Sequence, residues 1–515
     1  MKETKTIMIQ GTGSGVGKSV LVTALCRIFL QNGFSVCPFK AQNMALNSFV
    51  TEEGGEIGRA QATQALACKI KPTVDMNPIL IKPTQDTSAQ IIVHGKPVRN
   101  MSVYEYKNYK RKAFGKVKES FSRLLKEYEI IVIEGAGSPA EINLKKHDLV
   151  NMKTARISNS PVILVGDIDR GGVFAWLIGT LQLLDRDEKK MIKGFIINKF
   201  RGDKRLLRPG IKFLENCTGI KVLGVIPYFS AVGGSAAGGK NIKIPEEDSL
   251  PRAEKRKDLK ANKKIKIGVI YLPHISNFTD FDALENEQDV ALKYVREPRD
   301  LDKPDLIIIP GTKNTMGDLG YLKKSGLAQK ITSFLKSQTT TNVVGICGGY
   351  QMLGEKICDP KSIESKKREI EGLGFLPIVT QLYPEKILSQ VKARDLSSGI
   401  EVTGYQIHHG RTRPTGDTIP RFEILEHLNQ KVRKNDGTQT QDKRCWGTYI
   451  HGIFDNDNFR RHFLNNLRKN KGWTAQGFGT TYDVDGEIDK LADLVRENID
   501  LGLLYKILLK RGEVR

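Results

Sequence analysis

The chain has 515 residues, too many for one ordinary core, and its 39% hydrophobic content fits two or more folded domains. Its longest apolar runs, such as Ile130 to Ile133 and Leu306 to Ile309, are strand-sized, so no signal segment or membrane span is expected and the protein reads as soluble and cytoplasmic. Seven scattered cysteines without a C-x-x-C pair argue against a disulfide framework or a zinc site, and the net charge of +23 comes from dispersed lysines and arginines, densest in a linker. That charge fits a solvated surface or a positive field for a polyanionic small substrate, and no nucleic-acid partner is expected.

Residues 1–230 alternate apolar strands, near 6–10, 34–39, 129–134, 161–166, 192–197 and 221–226, with helical stretches at 17–31, 57–69, 102–127, 173–184 and 206–217. Such alternation predicts a mostly parallel α/β sheet covered on both faces, with ligands at the carboxyl ends of its strands. The first strand runs into G-T-G-S-G-V-G-K-S at 11–19. Backbone N–H groups at Gly11, Thr12, Gly15 and Gly17, with the following helix N-terminus, predict a phosphate cradle. Lys18 would reach the β/γ-phosphates of ATP and the Ser19 hydroxyl would ligate Mg²⁺. The first glycine lies one residue earlier than in the common P-loop, which resembles the dethiobiotin synthetase type.

Further candidates sit at the other strand tips. Glu134, closing I-I-V-I-E, is placed either to hold Mg²⁺ or its waters or to cap the following turn. Asp167 and Asp169 in G-D-I-D-R-G-G repeat the pattern, with Asp169 a metal candidate and Arg170 open to a phosphate or to a salt bridge within the loop. Asn198 is a candidate contact for the nucleotide base. The segment K-A-Q-N-M-A-L-N-S-F at 40–49 places Lys40, Gln42, Asn43 and Asn47 on a donor-rich lip, suited to substrate carboxylates or amides and equally to hydrophilic loop.

Residues 231–264, glycine-rich and then charged, read as a linker. A second α/β unit over 265–463 opens with strands at 265–272, 306–310 and 343–347. The last ends in G-I-C-G-G-Y-Q-M-L-G, a nucleophile elbow that exposes Cys347 and aims a helix N-terminus at it. His451, in Y-I-H-G-I-F, is the expected base, with His408 and His409 as runners-up. Residues 464–515 read as a charged helical cap packing on this second unit.

The two motif sets together resemble the cobyric acid synthases, the glutamine-dependent amidases of corrinoid biosynthesis. The N-terminal half carries Q-G-T-x-S-x-x-G-K-S, K-A-Q-N-M-A-L-N-S, E-I-G-R-A-Q-A at 56–62, M-N-P-I-L-I-K-P at 76–83, E-G-A-G-S-P-A-E-I-N-L at 134–144, G-D-I-D-R-G-G-V-F-A at 166–175 and I-N-K-F-R-G-D at 197–203. The C-terminal half carries P-G-T-K-N-T at 310–315, the Cys347 elbow and Y-I-H-G-I-F-D at 449–455. The resemblance implies a P-loop synthetase domain followed by a class I glutamine amidotransferase-like domain. It further implies ATP, Mg²⁺ and L-glutamine as reactants, and a corrinoid substrate amidated at its b, d, e and g side-chain carboxylates. It places Gly311 and Gly348 amides on the oxyanion and Gln351 on the glutamine. Two departures from the pattern matter: Ile453 stands where many class I enzymes carry the glutamate that orients the histidine, and Gln406 stands where the family often has glutamate. Amidation of another tetrapyrrole carboxylate, or a nucleotide-switch ATPase with a non-catalytic second domain, are the competing readings.

Overall fold

The computed structural model describes residues 3–85, 87–229, 242, 244, 264–337, 340–477 and 481–509. In the first domain six parallel strands, β1 (Lys5–Gly11), β2 (Val36–Phe39), β3 (Ile130–Glu134), β4 (Val162–Asp167), β5 (Ile192–Phe200) and β6 (Val222–Pro227), lie in the order β6-β5-β4-β1-β3-β2. The apolar runs are continuous because both sheet faces are covered; every residue of β3 and β4 is buried. Helix α1 (Lys18–Gln31) follows the glycine loop and α2 (Arg59–Ala67) packs beside it. A four-stranded sheet formed by residues 42–44, 79–85, 88–93 and 96–102, of which the sequence reading had no trace, extends this domain toward the second.

The second domain is built on a larger sheet, eleven-stranded among the described residues. Its parallel part comprises β7 (Ile265–Ile270), β8 (Val290–Val295), β9 (Leu306–Ile309), β10 (Asn342–Ile346) and, beyond a long insertion, β15 (Cys445–Thr448). The insertion carries antiparallel strands β11 (Ile378–Asp395), β12 (Glu401–Pro414), β13 (Ile419–His427) and β14 (Gln430–Gln439). Helix α3 (Gly348–Leu353) leaves the tip of β10, and α4 (Asp457–Asn470) seals the sheet through Phe459 and Phe463 around Trp446.

The expected cap on the second domain is corrected in its later part. Helices α5 (Val484–Arg496) and α6 (Leu501–Leu509) cover the first domain, where Ile488, Leu491 and Val495 join the cluster around Leu21, Leu25 and Phe29 of α1. Charge fixes the docking: the buried Arg27 guanidinium pairs with Asp485 and, at 2.7 Å, with Asp489. Of the expected linker 231–264, only Ile242, Ile244 and Lys264 are described, and both isoleucines are buried in that same cluster.

The domains meet along a buried polar seam. Asn47 Oδ1 accepts from the Phe278 amide at 3.1 Å, and the Ser48 amide donates to Asn277 Oδ1 at 3.1 Å. Fully buried Glu56 accepts from Lys82 of its own domain at 2.8 Å and from Lys386 of the other at 2.5 Å. The two ammonium groups outweigh burial and hold the Glu56 carboxyl well below its ordinary range.

Candidate functional site

Two centres emerge. In the first, β1 ends at Gly11, where a Cβ would lie 2.5 Å from Val16 Cγ2, and Gly17 enters α1 at φ 94°, a left-handed angle that favours glycine. The loop borders a cleft of about 540 Å³ lined by Thr12, Gly13, Asp167, Arg170 and Trp176. Thr12 Oγ1 is buried there without a hydrogen-bond partner among the described residues, an acceptor and donor left for a ligand. Lys18 Nζ donates to the carbonyls of Gly13, at 2.8 Å, and Gly137, at 3.3 Å, so the ammonium lies against the loop.

Glu134 is fully buried at the tip of β3, between Ser19 Oγ at 2.8 Å and Lys40 Nζ at 2.8 Å, with Gln64 Nε2 of α2 on its other oxygen. Burial raises its pKa, but the Lys40 charge and these donors win and keep the carboxylate ionised. Ser19 and Glu134 therefore offer a hydroxyl and a carboxylate side by side, a donor set that suits Mg²⁺ completing its shell with phosphate and water.

Several expected ligands have other partners. Lys40 is not on an open lip; a buried carboxylate demands a countercharge, and Lys40 supplies it. Asn43 Nδ2 donates to Gln61 Oε1 at 2.8 Å, Gln42 Oε1 accepts from the Tyr106 hydroxyl, and Asn47 faces the second domain. Asn198 Nδ2 donates to the Val16 carbonyl at 2.8 Å, tying the tip of β5 to the phosphate loop; its buried Oδ1 has no partner among the described residues. Asp169 turns away to Arg201 at 2.8 Å, and the cleft is faced instead by Asp167.

The second centre lies at the β10–α3 turn. Cys347 adopts φ 51° and ψ −106°, a strained conformation for a residue with a Cβ, which the elbow between β10 and α3 imposes. Its Sγ lies 3.4 Å from the Ile407 carbonyl, and His451 lines the same pocket. His451 Nδ1 lies 2.7 Å from Asp280 Oδ2, and Asp280 Oδ1 accepts from the Gly452 amide at 3.1 Å. Burial pushes the His451 pKa down, but Asp280 and Cys347 outweigh it and raise the imidazole to about 10. Asp280 is the orienting acid that the sequence reading did not name. It comes from the loop after β7 and lies 171 residues from His451.

Gly311 and Gly348 flank this pair: a Cβ at Gly311 would stand 2.9 Å from His451 Cε1, and one at Gly348 2.8 Å from Thr312 Cγ2. Gly348 and Gln351 line the pocket that holds Cys347 and His451, together with Lys313, Glu364 and His408. Lys313 is buried. Burial pushes Lys313 down and Glu364 up, each toward neutrality. His408 and His409 are poor bases: burial lowers the first to about 3 and the second well below its ordinary value. Gln406 Nε2 donates to Asp436 Oδ1 at 2.8 Å, so the neutral amide spares this site a second acid beside a carboxyl that burial already raises to about 6.

A strained cysteine, a histidine and an aspartate on one sheet, and a phosphate loop on the other, define a nucleotide-binding domain joined to a glutamine amidotransferase. Family models agree: residues 7–242 match the CobQ/CobB/MinD/ParA nucleotide binding domain, and residues 266–459 the CobB/CobQ-like glutamine amidotransferase domain. The chain is 46% identical to a cobyric acid synthase of Syntrophobacter fumaroxidans, 98% of each chain being covered. It is 48% identical to that of Clostridium tetani and 49% identical to that of Dehalococcoides mccartyi strain CBDB1, covering 98% of this chain in both cases and 98% and 99% of those relatives. The chain belongs to the cobyric acid synthase family.

Proposed function

We propose that this protein converts the b, d, e and g side-chain carboxylates of adenosylcobyrinic acid a,c-diamide to amides, using one ATP and one L-glutamine for each, in the cytoplasm. The observation that carries the reading is the coexistence of the Ser19–Glu134–Lys40 centre with the Cys347–His451–Asp280 centre in one chain.

A carboxylate does not accept ammonia at neutral pH until its oxygen becomes a leaving group, and transfer of the ATP γ-phosphoryl group supplies one as an acyl phosphate. The loop amides and Lys18 hold the phosphates, and Glu134 and Ser19 would hold Mg²⁺, which when bound offsets the charge on the transferring group. At the other centre the Cys347 thiolate attacks the glutamine carboxamide while Gly311 and Gly348 amides receive the oxyanion. His451 protonates the departing nitrogen, and Asp280 fixes its orientation. Water then cleaves the thioester to give glutamate. A free amino acid carries one carboxylate and one ammonium, and Lys313 and Glu364 are a base and an acid in the same pocket, each of which such a ligand would hold in its charged form.

The test is Cys347→Ser, assayed with the corrinoid diamide and MgATP. The variant is expected to lose glutamine-dependent amidation and keep amidation with free ammonia. Retained glutamine use overturns the assignment of Cys347, and product mapping away from b, d, e and g overturns the substrate.

A further inference from the structure

Two buried acceptor atoms in the Cys347 pocket have no partner among the described residues: His408 Nε2 and Gln351 Oε1. Neither is free to turn elsewhere. His408 Nδ1 lies 2.7 Å from the Gly410 carbonyl, a contact that places the ring proton on Nδ1 and leaves Nε2 as a lone pair. The ring is held flat against Tyr449, centroids 3.7 Å apart and planes 16° apart, and the Tyr449 hydroxyl is itself fixed by Thr412 Oγ1 at 2.6 Å. Gln351 is on α3, one turn after Cys347, with its amide nitrogen so close to Gly410 that a Cβ there would meet it at 2.4 Å. Buried polar atoms are costly to leave unpaired, and a pocket with two orphaned acceptors calls for a ligand with two donors. The carboxamide nitrogen of glutamine carries two N–H bonds; the carboxylate of the glutamate product carries none.

We propose that His408, with Gln351, selects the amide substrate by accepting its two N–H bonds. His408 is then a specificity-determining residue and neither a base nor a metal ligand. The pair also does work during the reaction. As Sγ adds to the carbonyl carbon the C=O π bond opens onto oxygen and the nitrogen becomes tetrahedral. With both N–H bonds held, the lone pair that develops on nitrogen is left to take the His451 proton, after which the C–N bond breaks and NH₃ departs. After hydrolysis the same two acceptors face carboxylate oxygens, and acceptor against acceptor with no proton between them favours product release.

The inference rests on Cys347 as the glutaminase nucleophile, and its test keeps the two apart. L-glutamic acid γ-methyl ester passes through the same thioester but offers no N–H on the group that leaves. Wild type and His408→Phe, which keeps the stacked ring without the acceptor, are compared on glutamine and on the ester, in the presence of MgATP and the corrinoid diamide. His408→Phe is expected to lower kcat/KM for glutamine about tenfold to a hundredfold and to change ester hydrolysis less than about threefold. Equal losses on both substrates, or no loss on glutamine, overturn the proposal. If His408→Phe fails to fold, His408→Gln decides: its amide oxygen can stand in for Nε2, so the ratio of amide to ester turnover should recover to within about tenfold of wild type, and a ratio lower than that overturns the assignment. A wild-type enzyme that hydrolyses neither substrate, or does so unchanged in Cys347→Ser, overturns the glutaminase reading itself.

Discussion

Asp280 Oδ2 lies 2.7 Å from His451 Nδ1, both side chains buried, so an acid from a different strand end holds the histidine that shares a pocket with Cys347. Asp280→Asn keeps the volume but offers His451 an amide. Glutamine hydrolysis should fall at least about a hundredfold through a wrongly held tautomer, while amidation with ammonia persists. Parallel assays with the two nitrogen sources check this; equal losses would show that Asp280 merely supports the fold.

Glu134→Gln removes the negative charge between Ser19 and Lys40 and leaves the Lys40 ammonium buried without its countercharge. ATP-dependent amidation is expected to fall at least about a hundredfold with glutamine and ammonia alike. Breaking a buried ion pair of this kind costs about 3–5 kcal/mol, readable in denaturant unfolding.

Lys313→Met tests how the glutamine backbone is read. 4-Aminobutanamide is glutamine without its α-carboxylate. The wild type should prefer glutamine strongly, and the variant should lose about tenfold to a hundredfold of that preference by acting on glutamine more slowly. An unchanged preference would place the carboxylate elsewhere.

Two of the three histidines of the pocket, His451 and His408, set opposite pH limbs. His451, raised to about 10 by Asp280 and Cys347 against the pull of burial, stabilises the fold fully below the ordinary histidine value near 6.5. That stability is lost as pH rises through about 10. His408, lowered by burial to about 3, contributes the other way: its stability is present above about 6.5 and is lost as pH falls toward 3, by about 1.4 kcal/mol per unit. Urea titrations across pH should show His408→Phe making the acid limb shallower, with the part due to buried His409 retained, and leaving the alkaline limb in place.

Both centres were legible in the sequence where their chemistry is local. G-T-G-S-G-V-G-K-S and G-I-C-G-G-Y-Q each pack strand end, turn and helix start into about ten residues, so spacing alone locates them. What escaped was tertiary. Asp280 sits in N-F-T-D-F-D, where nothing distinguishes it from its acidic neighbours; the available signal was its position in the loop after the first strand of its domain, where α/β sites gather. Lys40 was expected on a substrate-facing lip and instead pairs with Glu134, 94 residues away, because a hydrophilic loop and a buried ion pair look alike in one dimension. The same limit applies to residues 484–509: their apolar spacing announces helices with a face to cover, and only Arg27 with Asp485 and Asp489 decides which surface receives it.

Because α5 and α6 complete the hydrophobic layer over α1, the helix that carries Lys18 and Ser19, a stretch of chain synthesised after the second domain finishes the nucleotide-binding domain that precedes it. A nascent chain that has emerged only through β6 lacks that layer. The phosphate-handling half therefore matures after the nitrogen-supplying half has been synthesised, so a truncated translation product is poorly equipped to spend nucleotide on an acid it cannot go on to amidate.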